Sequence, residues 1–248
     1  MFFIRKRKIM KRFLLFLLIP SLFALTGCST LKKLGIIPSE LEMALGLKEA
    51  LSQGLFKGFN AFADPNGNPL VRFAFPGEAQ KIEKTLRDIG FDKAINQVTG
   101  KFTRAMSSAV SVARPLFIDA LKNMSIKDAA KILVTDNPHA ATDYFKQEMK
   151  PGLMTAFRPI VDSTIKTEGA DKEWNGITKI YNSIPFIKKP LENSLTDFVS
   201  ARVIDLLFVM VASEEEQIRT KYELRKTDLM KKVFTYAEQE LKKKIEKR

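Results

Sequence analysis

The chain has 248 residues, with 41 Lys and Arg against 28 Asp and Glu, a formal net charge of +13, one cysteine and one histidine. That length accommodates one sizeable core or two small, closely packed units. A lone cysteine excludes an intrachain disulfide, and a lone histidine beside it leaves no Cys/His cluster for a structural metal.

The amino terminus reads first as an export signal. "MFFIRKRKIMKR" carries six basic residues and no acidic one, and the uncharged run "FLLFLLIPSLFAL" follows. This run is shorter than the roughly 17–25 residues that span a bilayer as a helix, and Pro20 interrupts it. A basic segment, a short apolar segment and a small-residue exit describe a secretory leader. Leu25, Thr26, Gly27 and Cys28 then resemble the lipobox of the bacterial lipoprotein signal family. That resemblance implies diacylglyceryl transfer to the Cys28 thiol, cleavage before it, and acylation of the new amino terminus by a fatty acid such as palmitate. Ser29 stands where an Asp would mark inner-membrane retention, so the resemblance further implies an outer-membrane lipoprotein facing the periplasm. Residues 1–27 are thus the signal peptide and 28–38 the lipidated end with a short tether. An export signal removes nucleic acid from the expected partners. Cleavage leaves 35 basic and 28 acidic residues, a charge of +7, with anionic lipid and envelope polymers as electrostatic neighbours.

From residue 39 onward the apolar pattern is helical. Ser39 and Glu42 fit a capping box, and Leu47, Leu51, Leu55, Phe59 and Phe62 share one face. "DPNGNP" is turn chemistry. "LVRFAF" has the composition of a short strand with no convincing mate. A helix from Pro76 carries Ile82, Leu86 and Ile89 and stops at Gly90. The stripe Ile95, Val98, Phe102, Met106 defines the next helix, which Arg114-Pro115 is expected to end or kink. Ser125 and Asp128 predict a capped short helix through Leu133. Thr142 and Asp143 are expected to cap the next, which bears Tyr144, Phe145 and Met149. Leu153, Phe157, Val161 and Ile165 mark a further one, with Pro159 as a kink. Trp174, Ile177, Ile180 and Tyr181 define another face, and "NSIPFIKKP" an apolar loop. "TDFVSARVIDLLFVMVA" is a central core helix whose Asp205 and limited length exclude a membrane span. Asp228 is expected to cap a last helix with Met230, Val233, Phe234 and Ala237 inward. The architecture is all-α: one compact domain of roughly eight to ten helices over residues 39–248.

The blocks "FIDALKNMSIKDAAKIL", "AATDYF", "LMTAFRPIV", "YNSIPF", "ASEEEQIR" and "RKTDLMKKVF" resemble, in order, the uncharacterised bacterial family catalogued as domain of unknown function 4197. The resemblance covers about residues 45–235. It implies an exported or lipid-anchored helical protein and brings no reaction, cofactor or partner with it.

Chemistry-bearing residues are few. Asp119, Asp143 and His139 are the acid, base or hydrogen-bonding candidates for catalysis, since paired carboxylates can hydrolyse a bond held between them. Tyr144, Arg158 and Arg219 are the candidates for binding a ligand. There is no HExxH helix, no glycine-rich phosphate loop and no G-x-S-x-G elbow, so neither a metal nor a cofactor is expected. Glu215 and Arg219 stand four apart on one helical face and either stabilise that face or organise a buried polar contact. The reading from sequence is a non-enzymatic, lipid-anchored envelope protein that scaffolds other envelope proteins or binds a lipid-like ligand. The alternative is a carboxylate-dependent hydrolase of an envelope polymer or lipid. Its partner through Cys28 is the membrane itself.

Overall fold

In the computed structural model, which describes residues 37–75, 77–183 and 195–247, the apolar stripes become eight α-helices and, among the described residues, no strand. The leader, Cys28, the tether up to residue 36 and most of "NSIPFIKKP" lie outside the described residues. The chain divides into two units, Met1–Ser39 and Glu40–Arg248, and the architecture that follows is that of the second.

Helix α1, Glu40–Ala63, opens on acidic Glu40 and Glu42, the sign a helix N-terminus favours. Its inward face alternates bulk with glycine: Leu47, Leu51, Leu55 and Phe59 are buried beside Gly46, Gly54 and Gly58. The turn that ends it is tied by the Gly67 N–H donating to Asp64 Oδ1 at 3.1 Å. A single 3-10 turn, Pro69–Val71, follows, capped by the Asn68 side chain, which accepts from the Leu70 N–H. The expected strand "LVRFAF" is instead this turn and a lone extended segment. Val71, Phe73 and Phe75 do alternate inward, but the Phe73 N–H donates to Thr103 Oγ1 (3.0 Å) and its ring stacks on Phe102 at 4.6 Å. A period of two therefore marks a peptide laid on helices.

Helix α2 is Gly77–Asp88. It ends at Gly90, whose φ of +92° lets the Phe91 N–H reach back to Leu86 O at 2.9 Å. Leu86 is buried and Ile89 is exposed. Helix α3, Asp92–Asn123, runs through Pro115, so of the end or kink expected there the end does not occur. The reason is phase: Met106, Ala113, Phe117 and Leu121 stay on one buried face across the proline, and that burial outweighs one missing hydrogen bond. Helix α4 is the short Ala129–Leu133. Helix α5, Ala140–Thr167, likewise absorbs Pro151 and Pro159 and joins the two helices expected there into one. Phe145, Leu153, Phe157, Val161 and Ile165 keep its inward register.

Helix α6, Ala170–Asn182, buries Trp174 and Ile177. Helix α7, Thr196–Thr220, is the axis of the fold, packing on α1 and α5. A 3-10 turn, Tyr222–Leu224, leads into helix α8, Asp228–Glu246, which packs on α1. Ten phenylalanines, among them Phe59, Phe117 and Phe157, are buried in one continuous core. Phe117 meets its neighbours edge to face, at 6.1 Å for Phe59–Phe117 and 5.7 Å for Phe117–Phe157. No described helix is long and apolar enough to cross a membrane.

Candidate functional site

Three successive glutamates of α7 project to three different neighbours, because each residue advances about 100° around a helix. Glu214 faces α1, accepting from Gln53 Nε2 (2.8 Å) and Lys57 Nζ (2.7 Å). Burial pushes its carboxyl up, but those two bonds and the charges of Lys57 and Lys226 outweigh it and hold the group below its ordinary value. Glu216 approaches the His139 ring, 4.0 Å from Nε2, while Nδ1 of that ring lies 3.1 Å from Ala212 O.

Glu215, fully buried, faces the start of α5. Its carboxylate accepts from the N–H groups of Ala141 (3.0 Å) and Thr142 (2.7 Å) and from the Thr142 hydroxyl (2.6 Å). The first N–H groups of a helix have no partner within it, so a glutamate from another helix does here what a local cap does elsewhere. Arg219 closes the arrangement. It donates to Glu215 through Nε (2.9 Å) and Nη2 (2.7 Å), and to the carbonyls of Leu133 (2.9 Å) and Ile132 (3.1 Å) at the end of α4. One ion pair thus fixes the C-terminus of α4 and the N-terminus of α5 to α7. A second buried arginine, Arg225, performs the matching task one turn on, donating to the carbonyls of Ile218 and Arg219, both at 3.0 Å.

These contacts correct three expected caps. Thr142 and Asp143 lie inside the first turn of α5, and the capping carboxylate is that of Glu215. Asp128 precedes α4 in a left-handed conformation, φ 53°, and makes no capping bond. Thr227, not Asp228, caps α8, accepting from the Met230 N–H at 3.0 Å.

The helix ends so fixed enclose a groove of about 750 Å³ between the end of α3, α4 and the start of α5. Its apolar lining is Met124, Ile132 and Met149, and Asn123, Asn137, Lys127, Lys131, Asp128 and Glu148 supply polar groups of both signs. Tyr144 stands on its wall and donates its hydroxyl to Ser125 O at 2.8 Å. Each backbone segment around the groove is tied by a side chain from elsewhere: Lys48 donates to Lys122 O (2.7 Å), Ala130 N–H to Glu40 Oε2 (3.3 Å) and Lys244 to Val134 O (3.3 Å). Asp128, the only described non-glycine residue with positive φ, also lines it. A sparsely populated backbone conformation persists where the surroundings over-determine it.

Of the residues singled out from sequence, Tyr144 lines this groove. Asp143 is exposed beside it and accepts from Asn137 Nδ2 at 2.9 Å. His139 sits just before α5 with its ring turned toward α7. Asp119 is exposed on α3, and Arg158 pairs with Asp197 at 2.6 Å on the surface. Arg219 is buried in the pair with Glu215. Among the described residues no group of three His, Cys, Asp or Glu is placed to hold a metal ion.

The chain matches the family described as Protein of unknown function (DUF4197) over residues 38–235. It belongs to that family. No curated protein and no solved structure matches it. All of the groove and the whole Glu215–Arg219 clamp fall inside the DUF4197 span, whereas α8 continues eleven residues beyond it, to Glu246.

Proposed function

We propose that this DUF4197 protein is a lipid-anchored envelope protein, held through Cys28 and facing the periplasm, whose helical body is a non-enzymatic binding module. Its recognition site is the groove between α3, α4 and α5. The anchor is supported by the basic leader and the lipobox-like Leu25–Cys28. The observation that carries the binding reading is the Glu215–Arg219 clamp: a buried ion pair spent on fixing two helix ends at the edge of one groove. Rigid, pinned walls lower the entropy that a partner must overcome on binding. The methionines on the lining adapt to an apolar side chain, and Asn123 and Asn137 offer donors to a polypeptide backbone.

A photoreactive benzoylphenylalanine in place of Asn123, on the groove lining, tests the reading in cells. A discrete protein adduct is expected from that position and not from Val112, an exposed mid-helix residue of α3. The adduct should disappear when Tyr144→Ala opens the wall. Labelling that is absent, or equal at the two positions, overturns it.

A further inference from the structure

The helix ends that build the groove also share one end of the helical unit. Glu42 accepts from Lys232 (2.6 Å) and Glu49 accepts from the Thr227 hydroxyl, so α8 runs antiparallel to α1 and its last turns project past the α1 start. Helix α4 joins the two, tied to Glu40 at its beginning and to Lys244 at its end. Three apolar side chains stand open to solvent here: Leu41 is 68% exposed, Leu45 44% and Ile245 64%. Leu41 and Leu45 are one turn apart on the same side of α1. Beside them Lys127, Lys131 and Lys247 enter no ion pair among the described residues, and Lys244 spends its contact on a neutral carbonyl. Of the carboxylates nearby, Glu40 is engaged by the Ala130 N–H and Glu42 by Lys232, leaving Asp128, Glu148 and Glu246.

Chain length adds a second constraint. Cys28 and Glu40 are twelve residues apart, and a fully extended chain covers at most about 3.3–3.6 Å per residue. An acyl chain on Cys28 therefore holds the start of α1 within roughly 40 Å of the bilayer, closer than any other described helix is obliged to be.

We propose that this end docks on an anionic bilayer surface, with Leu41, Leu45 and Ile245 entering the headgroup layer and Lys127, Lys131, Lys244 and Lys247 meeting lipid phosphates. The proposal rests on the acylation of Cys28. Apolar side chains flanked by lysines suit such an interface, because the lysine stems lie along apolar surface while their ammonium groups remain in water. Attraction to anionic lipid extends about a Debye length, which the tether makes reachable.

The acylated protein, reconstituted into vesicles, tests this directly. With Cys28 acylated, a cysteine introduced by Leu41→Cys, Leu45→Cys or Ile245→Cys is the only free thiol and takes an environment-sensitive fluorophore. In vesicles rich in phosphatidylglycerol, all three labels should shift to the blue and be quenched by lipid-borne nitroxide, while labels at Val112→Cys and Val209→Cys should do neither. The shift should shrink in pure phosphatidylcholine vesicles or high salt, and Lys127→Glu with Lys131→Glu should reduce it at Ile245→Cys. Protein that carries the acyl chain by mass spectrometry, yet gives five labels alike, overturns the docking face. Protein recovered without an acyl chain overturns the anchor instead.

Discussion

Replacing Glu215 by Leu keeps the volume of the side chain and removes its charge. Three donors at the start of α5, the Ala141 and Thr142 N–H groups and the Thr142 hydroxyl, then lose their acceptor, and the guanidinium of Arg219 loses its partner. Arg219 is itself only 9% exposed, so water does not replace the carboxylate. Breaking one side of a buried pair costs about 3–5 kcal/mol. For a domain of this size that is about 6–20 °C in Tm, at 2–4 °C per kcal/mol. Thermal and urea unfolding followed by circular dichroism would measure it. Adding Arg219→Met should recover part of the loss, because the unpaired guanidinium is then gone, although the carbonyls of Ile132 and Leu133 remain without that donor. A Glu215→Leu protein within about 1 kcal/mol of the parent, below the range for breaking a buried pair, refutes the clamp, as does a double variant that loses the sum of the two single losses.

Four further outcomes are expected. Gly54→Ala should destabilise by about 1–3 kcal/mol, despite the helix preference of alanine, because its Cβ would stand 2.7 Å from Val211 Cα and backbone must move; a higher melting temperature would contradict the packing of α1 on α7. Asp128→Gly should leave stability unchanged or raise it, whereas Asp128→Val should lower it, since φ is 53° and no cap bond exists to lose; equilibrium unfolding of both variants decides it. Thr227→Ala should cost about 1 kcal/mol by removing the α8 cap, while Asp228→Ala, at a fully exposed side chain, should leave the unfolding curve in place. The lowered pKa of Glu214 adds stability that is complete above the ordinary carboxylate value of 4.5 and is lost as pH falls through the folded-state value below it. Glu214→Gln should therefore flatten the acid limb of the stability profile and leave its alkaline limb in place.

Sequence periodicity carried most of the fold, and it carried more than the prolines allowed. The register Met106, Ala113, Phe117, Leu121 continues without a phase change across Pro115, as does Phe145, Leu153, Phe157, Val161 across Pro151. A conserved phase on both sides of a proline is the readable sign of one helix instead of two. Caps were less legible for a physical reason. Sequence rules look for the capping oxygen within three residues of the helix start, and the oxygen that caps α5 belongs to Glu215, seventy-three residues away from Thr142. The Glu215–Arg219 pair was visible as a spacing of four, but its burial depends on α4 and α5 arriving beside it. The groove was equally hidden, since it joins Asn123, Asp128, Asn137 and Tyr144 through side chains that tie backbone ends together.

The run Glu214, Glu215, Glu216 also governs how this chain can change its length. Each glutamate is aimed by its angular position on α7, so one inserted residue upstream turns all three by about 100° relative to the residues before it. The Lys57, Thr142 and His139 contacts would then be lost or exchanged in a single event. Point substitutions test these contacts one at a time; an insertion tests them together. Length variation compatible with this fold is therefore confined to the connections between helices, and α7 acts as its gauge.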